Sequence, residues 1–128
     1  MQSATDVRRA VRELSETLFT ALLFVAVVAA ADITGNWEVE ATFDDSSIAG
    51  GGFDCAFKQQ GEQLTGNCSE GTASVTGEVK GQNVSWRLQG AGNSDGPTFT
   101  GTVDEVGTSM KGRFTVGGRG GQFTGVKQ

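Results

Sequence analysis

A stretch of strict alternation constrains the fold of this chain more than any other feature. From residue 33 to residue 43 every odd position is apolar or glycine, and every even position is polar. Successive side chains of a β-strand point to opposite faces, so a period of two predicts a strand with one buried face and one solvated face. We therefore expect the folded part of the chain to begin as a half-buried strand.

The first five residues of this stretch recur along the chain. The similar segments are 64–68 (LTGNC), 75–79 (VTGEV), 99–103 (FTGTV), 110–114 (MKGRF) and a shortened 123–125 (FTG). In each segment the glycine takes the same parity as the flanking apolar residues, so it belongs to the predicted buried face. The repeat indicates that one strand template is used several times.

Alternation and turn residues together predict strands at 33–43, 53–60, 63–69, 73–79, 84–88, 98–105, 109–116 and 122–127. Strands joined in sequence can close as a sandwich or as a barrel. Glycine within a strand permits tight bending, and the repeated inward glycines therefore favour the barrel. The predicted fold class is an all-β, eight-stranded antiparallel up-and-down β-barrel preceded by an N-terminal signal helix.

The first 31 residues differ in composition from the rest of the chain. Three arginines precede an apolar run at residues 18–30, and Ala31 ends a small-residue tripeptide. These are the parts of a secretory signal peptide, and the run is short for a membrane span, which needs about 20 residues. We expect a signal peptide at 1–31 and a barrel domain at 32–128, secreted or periplasmic and without a membrane span. An uncleaved N-terminal anchor is the alternative.

Charge and composition limit the chemistry that the chain can perform. The net charge is −5, which disfavours a nucleic-acid partner because a phosphate backbone requires a basic surface. The chain has no histidine, so it lacks the usual general base and the commonest metal ligand. We expect no enzyme activity, no catalytic residues, no cofactor and no metal site.

Two cysteines are placed opposite each other by the predicted hairpin register. If Gly61 and Glu62 form a two-residue turn, Cys55 faces Cys68 at a non-hydrogen-bonded pair, where Cα atoms lie about 4.5 Å apart. This separation is within the range of a disulfide, and oxidising compartments favour its formation. A cross-strand disulfide is predicted, with two buried free thiols as the alternative.

The motif order resembles the lipocalin/avidin (calycin) superfamily of eight-stranded barrels. A Gly-x-Trp pattern, Gly35 to Trp37, opens the first strand, and the chain closes with FTGVK ending in Lys127. The superfamily usually packs a basic residue of the last strand over this tryptophan, so the resemblance implies a cation–π contact between Lys127 and Trp37. The chain also looks like small secreted bacterial barrel domains rich in Thr-Gly strands.

The chain departs from the avidins at the positions where biotin would bind. Val39 stands where those proteins have an asparagine, and Cys68 stands where they have a ligand-binding tyrosine. The resemblance therefore implies the fold and does not carry over biotin binding.

Connection lengths indicate where a ligand would enter the predicted barrel. The longer connections all fall at one end, which is the natural mouth of such a barrel. The candidate ligand-binding residues inside this mouth are Phe43, Phe53, Trp86, Leu88, Phe99 and Phe123. The alternative is that these side chains simply fill the interior, since eight strands leave a space that side chains can just occupy.

The predicted barrel is compatible with two functions from different classes. The first is a secreted or periplasmic binding barrel for a small apolar ligand at the loop-rich end. The second is a protein-interaction module with a packed core, such as a barrel resembling periplasmic protease inhibitors, whose partner is a secreted protein. A cavity of several hundred Å³ would favour the first function and a packed interior the second. The oligomeric state is not predicted.

Overall fold

The computed structural model describes residues 31–90 and 95–128, which form a closed barrel of eight antiparallel strands in sequence order. The strands are β1 (Gly35–Phe43), β2 (Gly51–Gln60), β3 (Gln63–Cys68), β4 (Ala73–Lys80), β5 (Asn83–Gly90), β6 (Asp95–Val103), β7 (Ser109–Val116) and β8 (Arg119–Lys127). β8 pairs with β1 and closes the barrel. The predicted all-β antiparallel barrel is confirmed, and the predicted signal helix lies outside the described residues.

The inward glycines allow neighbouring strands to approach closely. Gly101 and Gly112 are direct partners on β6 and β7. A Cβ atom on Gly112 would lie 2.5 Å from the Gly101 Cα atom and 2.1 Å from the Thr100 carbonyl oxygen. On β4, Gly77 pairs with Trp86, and a Cβ atom there would lie 2.6 Å from the Trp86 Cβ atom. The missing side chains thus make room for backbone and for large neighbours inside the barrel.

Three of the hairpin turns consist of two residues. Gly61 and Gly81 each take a positive φ as the first turn residue, which is typical of a type II′ turn. Gly117 and Gly118 both take positive φ (56° and 78°), as a type I′ turn requires. The sequence predicted a longer turn at 117–121. Two consecutive glycines suffice to reverse the chain, so β8 begins at Arg119.

The connection between β5 and β6 is shorter than the loop predicted at 90–97. β6 begins at Asp95, and the pairing of β5 with β6 shifts register between Arg87 and Gln89. Pro97 falls within this irregularity, where a residue without an N–H group interrupts no regular ladder. The bulge explains how a strand can contain a proline that the sequence pattern assigned to a loop.

The sequence predicted that the first strand begins at residue 33. In the structure β1 begins at Gly35, and the residues before it lie across one end of the barrel. Ile33 is fully buried, its N–H group donates to Gln59 Oε1 at 3.0 Å, and Thr34 Oγ1 accepts the Gln59 N–H group at 3.0 Å. Ala31 N–H donates to the Gly81 carbonyl at 3.1 Å. We call this the closed end, formed by residues 31–34 and the turns at 61–62, 81–82 and 104–108. The opposite loop end includes residues 44–50, 69–72 and 117–118.

Candidate functional site

The two cysteines form a disulfide inside the barrel. Cys55 of β2 pairs directly with Cys68 of β3, and their Cα atoms are 4.0 Å apart. Both residues are buried. The predicted disulfide is confirmed, and it joins the strands that lead to the loop end.

Trp37 anchors the interior at the closed end. Its indole Nε1–H group donates to the Ile33 carbonyl at 2.8 Å, and its side chain is fully buried. Lys127, its register partner on β8, places Nζ 5.8 Å from the ring centroid and donates to the Asp32 carbonyl at 3.3 Å. Gly35 takes a φ of 140°, which residues with side chains rarely adopt, and a Cβ atom there would make ordinary contact with Lys127 Cε at 3.5 Å. Both the indole N–H and the lysine ammonium group thus have hydrogen-bond partners at this end of the barrel.

Aromatic rings contact one another through the middle of the barrel. The indole of Trp86 stacks on Phe99 with centroids 4.0 Å apart and planes inclined by 8°. Phe57 and Phe123 approach Trp86 edge-on, with centroids at 5.1 Å and 6.0 Å. Pairs in these orientations contribute about 0.5–1.5 kcal/mol beyond their area burial. The middle of the barrel is therefore a packed aromatic cluster.

The loop end carries apolar side chains that are only partly buried. Phe43 and Phe53 are half-buried, and each packs on a buried ring nearer the middle of the barrel. The Phe43 ring centroid lies 5.1 Å from that of Phe114, and the Phe53 centroid lies 6.1 Å from that of Phe99. Val116 is also half-buried and packs against the core. An apolar rim is thus accessible above a packed interior.

The structure places the six candidate ligand-binding residues at three depths below the loop end. Phe43 and Phe53 belong to the accessible rim. Leu88 lies just inside it with 9% exposure, on the same strand as Trp86 and one inward position nearer the loop end. The remaining three, Trp86, Phe99 and Phe123, are each about 1% exposed and belong to the aromatic cluster.

Trp86 carries a feature that the sequence pattern does not reveal. Its Nε1–H group is buried and has no hydrogen-bond partner among the described residues. A buried donor without a partner costs about 1–3 kcal/mol, which sets Trp86 apart from Trp37 with its bonded indole. The only sequence signal for this feature is the scarcity of hydrogen-bond acceptors among the inward positions of the strands, which are mostly apolar or glycine.

Polar groups at the loop end hold the β1–β2 connection. Asp44 forms an ion pair with Arg113 of β7, and both side chains are 56% exposed. The Ser47 hydroxyl and backbone N–H groups donate to Asp45 and lower the pKa of its carboxyl group. Ile48, in the same connection, is half-buried although it follows four exposed residues. The connection is therefore a compact turn beside the rim.

The outer face of the barrel carries shallow hollows whose lining surface is mostly apolar. Two adjoining ones, of about 460 and 480 Å³, share Thr102, Lys111 and Thr124 on β6, β7 and β8.

Among the described residues there is no group of three or more His, Cys, Asp or Glu side chains that could hold a metal ion. Within that same part of the chain, no helix has the length and apolar character needed to span a bilayer.

Comparison with known proteins identifies the fold and no family. No family model and no curated protein matches the chain. Among solved structures, the chain is similar to a redesigned β-barrel, mFAP1, bound to DFHBI, with a TM-score of 0.52 and 15% sequence identity. The match covers 75% of this chain and 94% of that one. At this identity the likeness shows a shared barrel fold.

Proposed function

We propose that the protein is a binding barrel that takes a small apolar molecule at its loop end. The observation that carries the proposal is the half-buried rim of Phe43, Phe53 and Val116 above a barrel whose other end is covered by residues 31–34. Partly exposed aromatic rings gain by burial against a guest, at roughly 25 cal/mol for each Å² of apolar surface removed from water. A guest would therefore bind from the loop end only.

Further support comes from the shared fold. The redesigned barrel to which the chain is similar is bound to DFHBI. Binding of a small molecule by the present protein is compatible with the fold that the two share. Kinship with the lipocalin/avidin superfamily is part of the proposal, since the Gly35–Trp37 pattern and the contact of Lys127 with Trp37 agree with it. A non-catalytic role is proposed because the chain lacks histidine.

A secreted or periplasmic location is also proposed. The disulfide between Cys55 and Cys68 supports it, because such bonds persist in oxidising compartments. The segment expected to direct export, residues 1–31, lies almost wholly outside the described residues.

Titration with an environment-sensitive apolar dye tests the proposed site. Phe53→Ser removes a rim ring that is only half-buried, so we expect dye affinity to fall about tenfold while the fold is kept. Val106→Ser is the matched control, because Val106 is 76% exposed in a turn at the closed end. Equal affinity in the two variants and the wild type would remove the loop end as the binding site.

A second candidate, a protein-interaction module, is favoured by the packed aromatic cluster. The stacking of Trp86 on Phe99 leaves the barrel axis occupied by side chains, as expected of a barrel that acts through its surface. Native mass spectrometry of protein purified from its own source discriminates the two functions. A co-purified small molecule supports the binding barrel, and a stoichiometric protein partner on apo barrel supports the module.

A further inference from the structure

The indole N–H group of Trp86 points to the chemistry of the ligand. We infer that the guest of this barrel carries a single hydrogen-bond acceptor on an otherwise apolar body, and that Trp86 Nε1–H donates to this acceptor. The inference rests on the proposed function, because it assigns a ligand class to the same loop-end site. Its starting point is a donor that is buried and unpaired among the described residues.

The inner wall of the barrel offers this donor almost no acceptor. Among the described side chains no polar or charged residue is buried. Gln59 has the inward parity of β2, and its acceptor oxygen is held at the closed end, where it accepts the Ile33 N–H group. The backbone of Trp86 itself is paired on both sides, with Gly77 of β4 and Phe99 of β6, and the ladder to β6 is interrupted only beyond Arg87. The natural partner of the indole is therefore a molecule from outside the chain.

A water molecule fits this position poorly. Buried waters typically make about three hydrogen bonds and need two to four polar partners, whereas the cluster of Phe57, Phe99 and Phe123 supplies apolar surface around one donor. An organic guest brings its own apolar surface to the aromatic rings and needs only one acceptor, such as a ketone oxygen. A flat aromatic ketone therefore matches the site better than water or an alkyl chain.

In this inference the guest approaches the donor along β5. Leu88, at 9% exposure, is the next inward residue toward the loop end, and the half-buried Phe53 lies over Phe99, on which Trp86 stacks. A guest that enters at the rim reaches the indole by displacing these side chains. The rim then selects for apolar surface, and Trp86 selects for the acceptor.

Two matched probes, indane and 1-indanone, test the inference in the full oxidised protein. They share a ring system and differ by one carbonyl oxygen. We expect 1-indanone to bind more tightly than indane by about tenfold, and Trp86→Phe to abolish this preference. Trp37→Phe is the control, since it removes an indole whose N–H is bonded to Ile33 and should keep the preference.

A spectroscopic readout keeps the test independent of how Trp86→Phe folds. In the ¹⁵N-labelled wild type, 1-indanone should move the Trp86 indole proton resonance downfield and leave that of Trp37 in place. If both probes bind equally and the resonance does not move, loop-end binding stands and the acceptor inference is overturned. If neither probe binds, the proposed function fails as well.

The free protein gives one more decisive outcome. A Trp86 indole proton already bonded to a trapped water, seen as a cross-peak with a long-lived water, would contradict the inference. So would a strongly upfield resonance that 1-indanone leaves unchanged, which indicates an N–H···π contact with Phe57 or Phe123. The inference is supported if the Trp86 indole proton shows neither signature in the free protein and its resonance shifts when 1-indanone is added.

Discussion

Arg113 of β7 reaches across β8 to form an ion pair with Asp44, which follows β1. The two residues are 69 positions apart in sequence. The intervening strand is crossed at Gly120, where a Cβ atom would lie 3.6 Å from Arg113 Nη2 and 3.8 Å from Asp44 Oδ2. The Asp44 backbone N–H also donates to the Gly120 carbonyl at 3.0 Å. The ion pair thus links the start of the β1–β2 connection to β7, across the intervening strand β8.

The ion pair should contribute little to stability. Both side chains are 56% exposed, so solvent screens their attraction. A double-mutant cycle of Asp44→Asn and Arg113→Gln should give a coupling free energy of about 0.2–1 kcal/mol, measured by urea unfolding. The coupling should vanish in about 1 M salt, where the Debye length falls to about 3 Å. A coupling that persists at high salt would mean that the pair is more shielded than its exposure indicates.

Removal of the disulfide should have a larger effect. The bond joins Cys55 and Cys68, with a sequence separation of 13, and a loop of this length predicts a loss of about 2–4 kcal/mol. The double variant Cys55→Ala/Cys68→Ala tests this without leaving a free thiol. Its free energy of unfolding should be compared with that of the oxidised wild type, and reduced wild type should resemble the variant. Equal stability of the oxidised and reduced wild type would exclude this contribution.

How far the sequence predicts this structure depends on the range of the interaction. The pairing of Cys55 with Cys68 could be predicted because a two-residue turn fixes the register of its own hairpin. The start of β6 could not, because Pro97 reads as a loop residue unless the bulge opposite Arg87 and Gln89 is known. The contact of Arg113 with Asp44 depends on barrel closure, which brings β7 and the end of β1 to either side of β8.

The candidate site shows the same limit. Alternation assigned Phe43, Phe53 and Trp86 to the inner face, and the register of the strands agrees. Their different exposures, half-buried at the rim and about 1% for Trp86, depend on height along the barrel axis. The unpaired indole is a property of all the inward side chains together, and a linear pattern does not report which acceptors are already engaged.

A side chain at Gly112 should destabilise the barrel strongly. In Gly112→Ala the new methyl group would meet the Thr100 carbonyl oxygen and the Gly101 Cα atom at 2.1 and 2.5 Å, and both atoms belong to backbone. We expect a loss of at least about 1–3 kcal/mol in the free energy of unfolding.

The control for this substitution is Gly51→Ala on β2. A Cβ atom at Gly51 meets nothing within 4 Å, so this variant should be neutral or more stable by about 0.5 kcal/mol. Similar thermal denaturation midpoints for the two alanine variants would contradict the close packing of β6 against β7.

Truncation of Trp37 should rank among the most damaging single changes. Trp37→Ala removes a fully buried ring, its bond to the Ile33 carbonyl and its contact with Lys127. We expect a loss of about 3–5 kcal/mol, measured by chemical denaturation. Lys127→Met retains the aliphatic stem and removes the charge, so it should cost only about 0.5–1 kcal/mol. A near-neutral Trp37→Ala would mean that residues 31–34 close the barrel without it.

Asp104 should make the stability of the barrel depend on pH in the acidic range. Its carboxylate accepts the Thr108 backbone N–H group at 2.7 Å, the Thr108 hydroxyl at 2.8 Å and the Ser109 hydroxyl at 3.1 Å. These bonds, the Thr108 N–H first among them, lower the pKa of Asp104 from 3.8 to about 2. Because the folded-state pKa is lowered, the native protein binds fewer protons than the unfolded chain between these values.

The contribution of Asp104 is therefore complete above pH 3.8 and is lost as the pH falls through about 2. Asp104→Asn should be less stable than the wild type at neutral pH, and the difference should shrink between these two values in urea unfolding experiments. Thr108→Val removes one hydroxyl but keeps the backbone donor with the largest effect on the pKa, so most of the pH dependence should survive in it. If the wild type and the Asp104→Asn variant lose stability in parallel on acidification, other carboxylates dominate the pH dependence of stability in this range.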